Sequence, residues 1–349
     1  MEKFILTAET LNEAREFMVT LGVDKYRADQ IYDWIYRKNV FEFNKMSNLP
    51  KDLIALLNEK TETVTIETVE KKVSKKEGTK KYLLELKDGH TVESVYLPFR
   101  ERSAVCLSVS VGCPLGCAFC ATGKYGFVRH LTVDEITGQF LLINRDVVNE
   151  KGKGISNIVI MGMGEPFLNY TNLIKALEIL AEPWGAGISP HRITVSTSGI
   201  LTGIEKFSKE SKPYNLSISL HSPFDEKRKQ LIPLNKKYSL RLLMEAVDNY
   251  IEKKGDTVTF QYLLIGGYND TKTDAVELTR FLRGPKYKVN IIVYNKVADV
   301  PFAKPSEQSI DRFVFMLSSS GIKVTRRKSM GEDIESGCGQ LRLRYLKKN

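Results

Sequence analysis

The chain predicts an α/β fold with a parallel sheet, rolled into a barrel or most of one, and three observations predict it. From about residue 99, short β-branched runs alternate with helical stretches in series, the plan of strands joined by crossover helices. Residues with unusual chemistry fall directly after the strands, where such folds build their active face. A length of 349 residues with 42% apolar content is enough to bury a large core without disulfide staples.

In chain order, residues 1–60 read as an N-terminal helical accessory domain. In YRADQIYDWIYRK the apolar residues Ala28, Ile31, Trp34 and Ile35 recur at helical spacing. Pro50 is expected to open a second helix, PKDLIALLNEK, as its first-turn residue. Residues 61–98 alternate, are rich in Val and Thr, and break at Glu77-Gly78 and Asp88-Gly89. They predict a small antiparallel β hairpin element leading into the core. The core spans 99–338, with six or seven strands: AVCLSVS, NIVIM, RITVSTS, NLSISLH, VTFQYLLI, VNIIVYN and IKVTRR. Helical stretches such as VDEITGQFLLI and LRLLMEAVDNYI lie between them. A basic tail, 339–349, ends the chain. No internal repeat or low-complexity segment interrupts this plan.

GMGEP follows NIVIM, STSG follows RITV, LHSP follows NLSIS, and Asn295 follows IIVY. Turn chemistry explains the glycines. It does not explain why Glu165, Ser196, His221 and Asn295 would all converge on one rim.

The formal charge is +10, with basic clusters at Lys71, Lys72, Lys75, Lys76, Lys80 and Lys81, at Arg326, Arg327 and Lys328, and in the tail. Recurrent clusters of this kind suit a polyphosphate partner, RNA or DNA. The N-terminus lacks a basic region followed by an apolar one, and no run approaches the ~20 apolar residues of a membrane span. The expectation is a cytoplasmic protein with no membrane partner.

Five cysteines are present, and GCPLGCAFC holds three of them, Cys113, Cys117 and Cys120. An odd, crowded set argues against a disulfide framework and for metal or redox chemistry in a reducing compartment. Zinc prefers four ligands in a closed tetrahedron, and His130 would be a loosely spaced fourth. An iron–sulfur cubane normally takes four thiolates; held by three, it leaves one iron open. Pro114, Gly116 and Ala118 suit a tight wrap around either. Taken alone, Cys106 reads as a small buried hydrophobe, Glu93 as a solvated strand carboxylate, His221 as a strand cap, and Cys338, between glycines, as part of a floppy tail. His90, His130 and His191 read as surface or phosphate-contacting residues.

The CxxxCxxC motif directly after the first strand, with Phe119 inside it, resembles the radical S-adenosylmethionine (SAM) superfamily. GCPLGCAFCATGKYGFVRHLTVDEI, MGMGEP, STSG, SLHSP and MGEDIESGCGQLR, in that order, resemble its dual-specificity 23S rRNA and tRNA adenine-C2 methyltransferases, from roughly residue 26 to 344. The resemblance implies a partial (β/α)6 barrel of the radical SAM type. It implies a 4Fe–4S cluster on Cys113, Cys117 and Cys120, and SAM contacts from Gly164, Glu165, Ser196, Ser219, Leu220, His221 and Asn295. It implies Cys338 as the methyl carrier, Cys106 as the second catalytic cysteine, and Glu93 as a proton acceptor. In the family mechanism one SAM methylates the carrier thiolate. A second yields a 5′-deoxyadenosyl radical, which takes hydrogen from the S-methyl group. The carbon radical adds to C2, and a disulfide between the two cysteines then releases the product. The roles of Glu93 and Cys106 in removing the C2 proton are left open. The partners implied are 23S rRNA, tRNA and a flavodoxin-like electron donor, with the helical unit and lysine-rich hairpin gripping the RNA backbone. Two alternatives stand beside this reading. One is a C8-adenine methyltransferase conferring antibiotic resistance, from which Pro166 and Ser198 separate this chain. The other is a non-catalytic, zinc-stabilised RNA-binding module, which would have no use for Cys106 and Cys338.

Overall fold

At the N-terminus, the apolar residues that recur at helical spacing are the ones that leave solvent. The computed structural model describes residues 3–295 and 300–334. After β1 (Phe4–Ile5), α1 (Leu11–Thr20) opens on a capping box: Thr10 accepts the Glu13 N–H at 3.3 Å and Glu13 accepts the Thr10 N–H at 2.8 Å. In α2 (Tyr26–Tyr32) and the π-helical turn Asp33–Arg37, Ala28, Ile31 and Ile35 are buried and Trp34 is half-buried. In α3 (Lys51–Lys60), Pro50 stands at the N-cap with an extended ψ of 150°, one position earlier than expected. Its carbonyl already accepts the Ile54 N–H at 3.0 Å, so the proline starts the hydrogen-bond ladder from outside the first turn. Next, β2 (Thr61–Glu62) returns to pair with β1.

Residues 67–98 form three strands, β3 (Glu67–Val73), β4 (Lys80–Glu85) and β5 (Thr91–Pro98), with left-handed glycines at both turns, Gly78 (φ +72°) and Gly89 (φ +79°). They do not stand apart. β5 pairs antiparallel with β6 (Ser103–Leu107), Val95 opposite Cys106, so the hairpin extends the main sheet. Beyond β6 come β7 (Ser110–Gly112), β8 (Phe127–His130), α4 (Val133–Lys151), β9 (Asn157–Ile160), α5 (Tyr170–Ala181), β10 (Ile193–Thr197) and α6 (Leu201–Phe207). Then follow β11 (Asn215–Ser219), α7 (Asp225–Leu231), α8 (Leu240–Lys254), β12 (Val258–Leu264), α9 (Lys272–Phe281), β13 (Tyr287–Val293), α10 (Glu307–Ser319) and β14 (Lys323–Arg327). The ten-stranded sheet runs β14-β13-β12-β11-β10-β9-β6-β5-β4-β3; the pairs from β6 to β14 are parallel, those from β3 to β6 antiparallel. β7 and β8 form a separate two-stranded ribbon.

Alternation assigns the two faces. Val105, Ile158, Val195, Leu216, Phe260 and Val289 are buried in the main core, where α4 packs against β6. Their neighbours Cys106, Ser196, Ser217, Gln261 and Asn290 point the other way. That second face is concave. Arg327 on β14 donates to the Met161 sulfur, just past β9, at 3.7 Å. The β3–β4 turn also reaches the segment after β14. Glu77 accepts the Gly331 N–H, and Asp333 accepts from the Ser74 hydroxyl at 2.7 Å and the Lys75 N–H at 3.0 Å. The architecture is the partial barrel that the resemblance implies, with the hairpin turn spanning the side where the end strands do not pair.

Only part of the lysine-rich hairpin is open to solvent. Lys80 and Lys81 are 2% and 0% exposed, which corrects their reading as members of a phosphate-gripping cluster. Each answers a carboxylate inside the protein. Lys80 meets Asp146 on α4 at 2.9 Å, and Asp146 also accepts from Tyr82 at 2.6 Å and Lys71 at 2.8 Å. Burial works to raise the Asp146 carboxyl, but the bonds from Lys71, Tyr82 and Lys80 outweigh it and hold it well below the ordinary range. A depressed carboxylate gives stability that is present above the unfolded pKa and lost as pH falls through it. Asp146→Asn is therefore expected to cost about 2 kcal/mol at pH 7, allowing for partial exposure. Urea unfolding would show the gap to the wild type closing as pH falls below about 4.

Candidate functional site

The cysteine loop hangs between β7 and β8, and its neck is closed backbone to backbone. Cys113 N–H donates to Gly126 O at 2.8 Å. Gly112 has φ +77°, and a Cβ there would lie 2.1 Å from that same oxygen, so only glycine fits. Within the loop Cys120 N–H donates to Cys117 O at 3.0 Å, and Ala118 N–H donates outward to Leu231 O, at the end of α7, at 2.9 Å. All three thiols are half-buried and unbridged. Burial pushes Cys113 up to about 12, the Leu115 N–H opposing and Cys120 and Glu165 adding. Burial pushes Cys117 up further, with Cys120 and Cys113 adding. Cys113 and Cys117 thus each feel a neighbouring sulfur, and the protein alone holds these two toward the thiol form. A positively charged iron centre is what would convert such a set to thiolates. Among the described residues no three His, Cys, Asp or Glu side chains converge tightly enough to hold a single metal ion. Thiols spaced along one loop fit a cluster whose irons sit at separate corners; four-ligand zinc they do not fit.

The strand-end residues build the rim around this loop. Gly164 has φ +102°, and a Cβ there would lie 2.0 Å from Ser110 Oγ, so MGMGEP presses onto β7. Glu165 is buried and accepts three bonds: from Ser198 N–H at 2.8 Å, the Thr197 hydroxyl at 2.6 Å and Phe167 N–H at 3.2 Å. Burial still raises its carboxyl above the ordinary value against those donors. Ser196 and Ser219 lie half-buried on the concave face, Ser219 opposite Gln261 on β12, and Leu220 is buried beyond β11. Asn295 donates to Ser329 Oγ at 3.3 Å. His221 is buried with φ +60°, a left-handed conformation uncommon outside glycine. Its Nδ1 accepts the Leu263 N–H at 3.0 Å, which leaves the proton of the neutral ring on Nε2. The ring meets Phe119 of the cysteine loop edge-on, centroids 4.8 Å apart. Burial, then the charge of Arg228, push His221 down to about 3.

Deeper on the concave face lies a second group. Cys106 shares its face with Lys81 and Glu93, which pair at 3.4 Å while 1% and 4% exposed. Burial pushes the Cys106 thiol up to about 11, with Arg327, the Met161 N–H and Lys81 pulling the other way. Cys338 lies outside the described residues. Sequence reasoning missed Lys81 and Arg228 as parts of the site. Both sit in charged runs that look solvated, and only the β4 alternation hinted at Lys81.

Comparison with known proteins follows this geometry. Residues 107–279 match the model of the radical SAM superfamily, and residues 6–63 match that of the ribosomal RNA large subunit methyltransferase N-terminal domain. A protein of Dictyoglomus turgidum named "Probable dual-specificity RNA methyltransferase RlmN" is 45% identical over 337 residues, covering 97% of this chain and 96% of the relative. One of the same name from Clostridium perfringens is 41% identical over 338 residues, at 97% and 96% coverage. The crystal structure of a radical SAM methyltransferase from Sphaerobacter thermophilus superposes with a TM-score of 0.94, at 40% identity, covering 97% of this chain and 98% of that one.

The depressed His221 has a consequence for stability. Below the unfolded value of 6.5 the unfolded chain takes up a proton that the folded chain refuses until about pH 3, so stability is lost as pH falls through 6.5. His221→Asn tolerates the left-handed backbone and removes the titration. Between pH 7 and 5 the wild type should lose about 2 kcal/mol more than this variant, measured by denaturant midpoints at each pH. Equal losses would show that His221 is protonated in the folded state.

Proposed function

The chain belongs to the RlmN-type radical SAM RNA methyltransferases, and on that premise we propose that it methylates C2 of adenine in 23S rRNA and in tRNA next to the anticodon. The observation that carries this reading is the two-level arrangement of the concave face. A three-cysteine loop with an acceptor-rich rim lies at the strand ends, and a separate buried cysteine, Cys106, lies below it beside Lys81 and Glu93. A zinc-stabilised binding module needs no second level.

Cys113, Cys117 and Cys120 would hold the 4Fe–4S cluster, and when bound it would supply one electron to SAM. Gly164, pressed onto Ser110 of β7, would hold the MGMGEP turn against the cofactor's amino group, and Glu165 would offer that group a carboxylate. Ser196, Ser219, Leu220 and Asn295 would orient the adenosyl portion, and His221, held neutral by burial, would contribute its Nε2–H. Cys338 would accept a methyl group from one SAM by displacement, as a thiolate. Cys106 would later attack the Cys338 sulfur, forming a disulfide as the bond from that sulfur to the transferred carbon breaks and its electron pair leaves with the methylated base; the cations Arg327 and Lys81 favour its thiolate against burial. Glu93, ion-paired with Lys81, would accept the proton from C2, and Cys106 is the other candidate for that step. Asp333, five residues before Cys338 in the sequence, is held by Ser74 and Lys75 at the β3–β4 turn. No described helix is long and apolar enough to cross a membrane; we place the enzyme in the cytoplasm, reduced by a flavodoxin-like donor.

Mass spectrometry of ribosomal RNA from cells with and without the protein tests the choice of carbon. 2-Methyladenine should vanish on deletion, with 8-methyladenine absent throughout. Appearance of the 8-methyl base would move the chain to the C8 alternative. Protein isolated without oxygen, reduced and given SAM should release 5′-deoxyadenosine, which a zinc module would not.

A further inference from the structure

Arg228 is the least expected residue of the molecule. It lies in α7, in the run DEKRKQL, where every sequence cue points to solvent, yet its side chain is 1% exposed. The guanidinium donates through Nε to Leu220 O at 3.1 Å, through Nη1 to Asn235 Oδ1 at 2.6 Å, and through Nη2 to Ser198 O at 2.6 Å and Ser219 O at 3.0 Å. Every one of these acceptors is neutral. Among the described residues no carboxylate forms an ion pair with it; Asp225 is held one side chain away, through Asn235 Nδ2 at 2.7 Å. A buried cation is costly unless an anion answers it. The same helix ends at Leu231, whose carbonyl receives Ala118 N–H from the cysteine loop at 2.9 Å. Burial draws the guanidinium down to about 10, and the first group whose ionised form opposes that shift is Cys117, ahead of Asp225.

The hydrogen bonds of α7 therefore run in two directions, to the carbonyls that end β10 and β11 and to the loop that carries the thiols. Resting on the cluster reading above, we propose that Arg228 is a positioning residue with two effects. Its fork sets the ends of β10 and β11 against the cysteine loop, and its charge is the built-in counter-ion of an anionic cluster on Cys113, Cys117 and Cys120. A cubane held by three thiolates is anionic and becomes more so on reduction. A fixed cation beside it stabilises the reduced state and raises the midpoint potential. Lysine would keep the charge without the four-way fork, and glutamine would lose both.

The test compares wild type, Arg228→Lys and Arg228→Gln as cluster-loaded proteins prepared without oxygen. It reads the midpoint potential by spectroscopic titration and SAM affinity by equilibrium binding. Arg228→Gln should show a more negative midpoint and SAM binding weaker by about tenfold. Arg228→Lys should keep a midpoint near wild type while its SAM binding weakens. A wild-type midpoint in Arg228→Gln, or a midpoint lowered equally in both variants, overturns the counter-ion role. Undiminished SAM affinity in Arg228→Lys overturns the fork. Should Arg228→Gln fail to hold iron, Arg228→Lys decides alone, since a lowered midpoint there contradicts the proposal. Failure of the wild type itself to bind a cluster would count against the cluster reading, not against Arg228.

Discussion

A parallel strand covered by helices on both faces reads as an unbroken apolar run. Strands β6, β10 and β11 of this sheet do not, because their convex face meets the helical core and their other face does not, and the rest of the structure depends on that asymmetry. Val195 and Phe260 go one way, into the core; Ser196 and Gln261 go the other, toward a concave space. The period-two rule then fixes depth as well as side. Cys106, in the body of β6, is carried to the bottom of the concave face, while Glu165, Ser219 and His221, at or past strand ends, are carried to its rim. Curvature makes the arrangement a site: the bond from Arg327 to Met161 joins strands far apart in the sheet order.

The sequence made the strands and the long helices legible because each carries its own period. α6 and α7 escaped. α6 is seven residues long and contains Gly203, where a Cβ would come within 2.4 Å of Phe167, and α7 is mostly charged. The cysteine loop was legible because its three thiols are contiguous in the chain. Glu165 and His221 stood out as side chains that turn chemistry does not require. Lys80, Lys81 and Arg228 were illegible for one shared reason. Their burial is decided by partners on other elements: Asp146 on α4 for Lys80, Glu93 on β5 for Lys81, and the carbonyls at the ends of β10 and β11 for Arg228. A charged run looks the same whether its partners are water or a carboxylate folded in from elsewhere.

The hairpin shows how one element can serve two surfaces. Lys80 and Lys81 anchor it inward, to α4 and to Glu93. Lys75 and Lys76 remain exposed at its turn, where the backbone of Lys75 also holds Asp333. Any RNA that loads on the exposed lysines would thus rest against the same turn that clasps the segment running on toward Cys338.

The charges of the site make a final point about what the fold is built to hold. Without a cofactor, burial drives two of its loop thiols toward the neutral form and draws down Arg228, a guanidinium buried on the helix that bonds to their loop. Desolvation alone would do this to any buried ionisable group. Opposite signs placed next to each other change the outcome, since whatever ionises the thiols also stabilises the cation. The thiols cannot serve as that partner while protonated, and the carbonyls around Arg228 carry no net charge. A centre that turns Cys113, Cys117 and Cys120 into thiolates satisfies both demands at once. The cost of keeping the guanidinium dry is then offset by the same event that makes the site chemically competent.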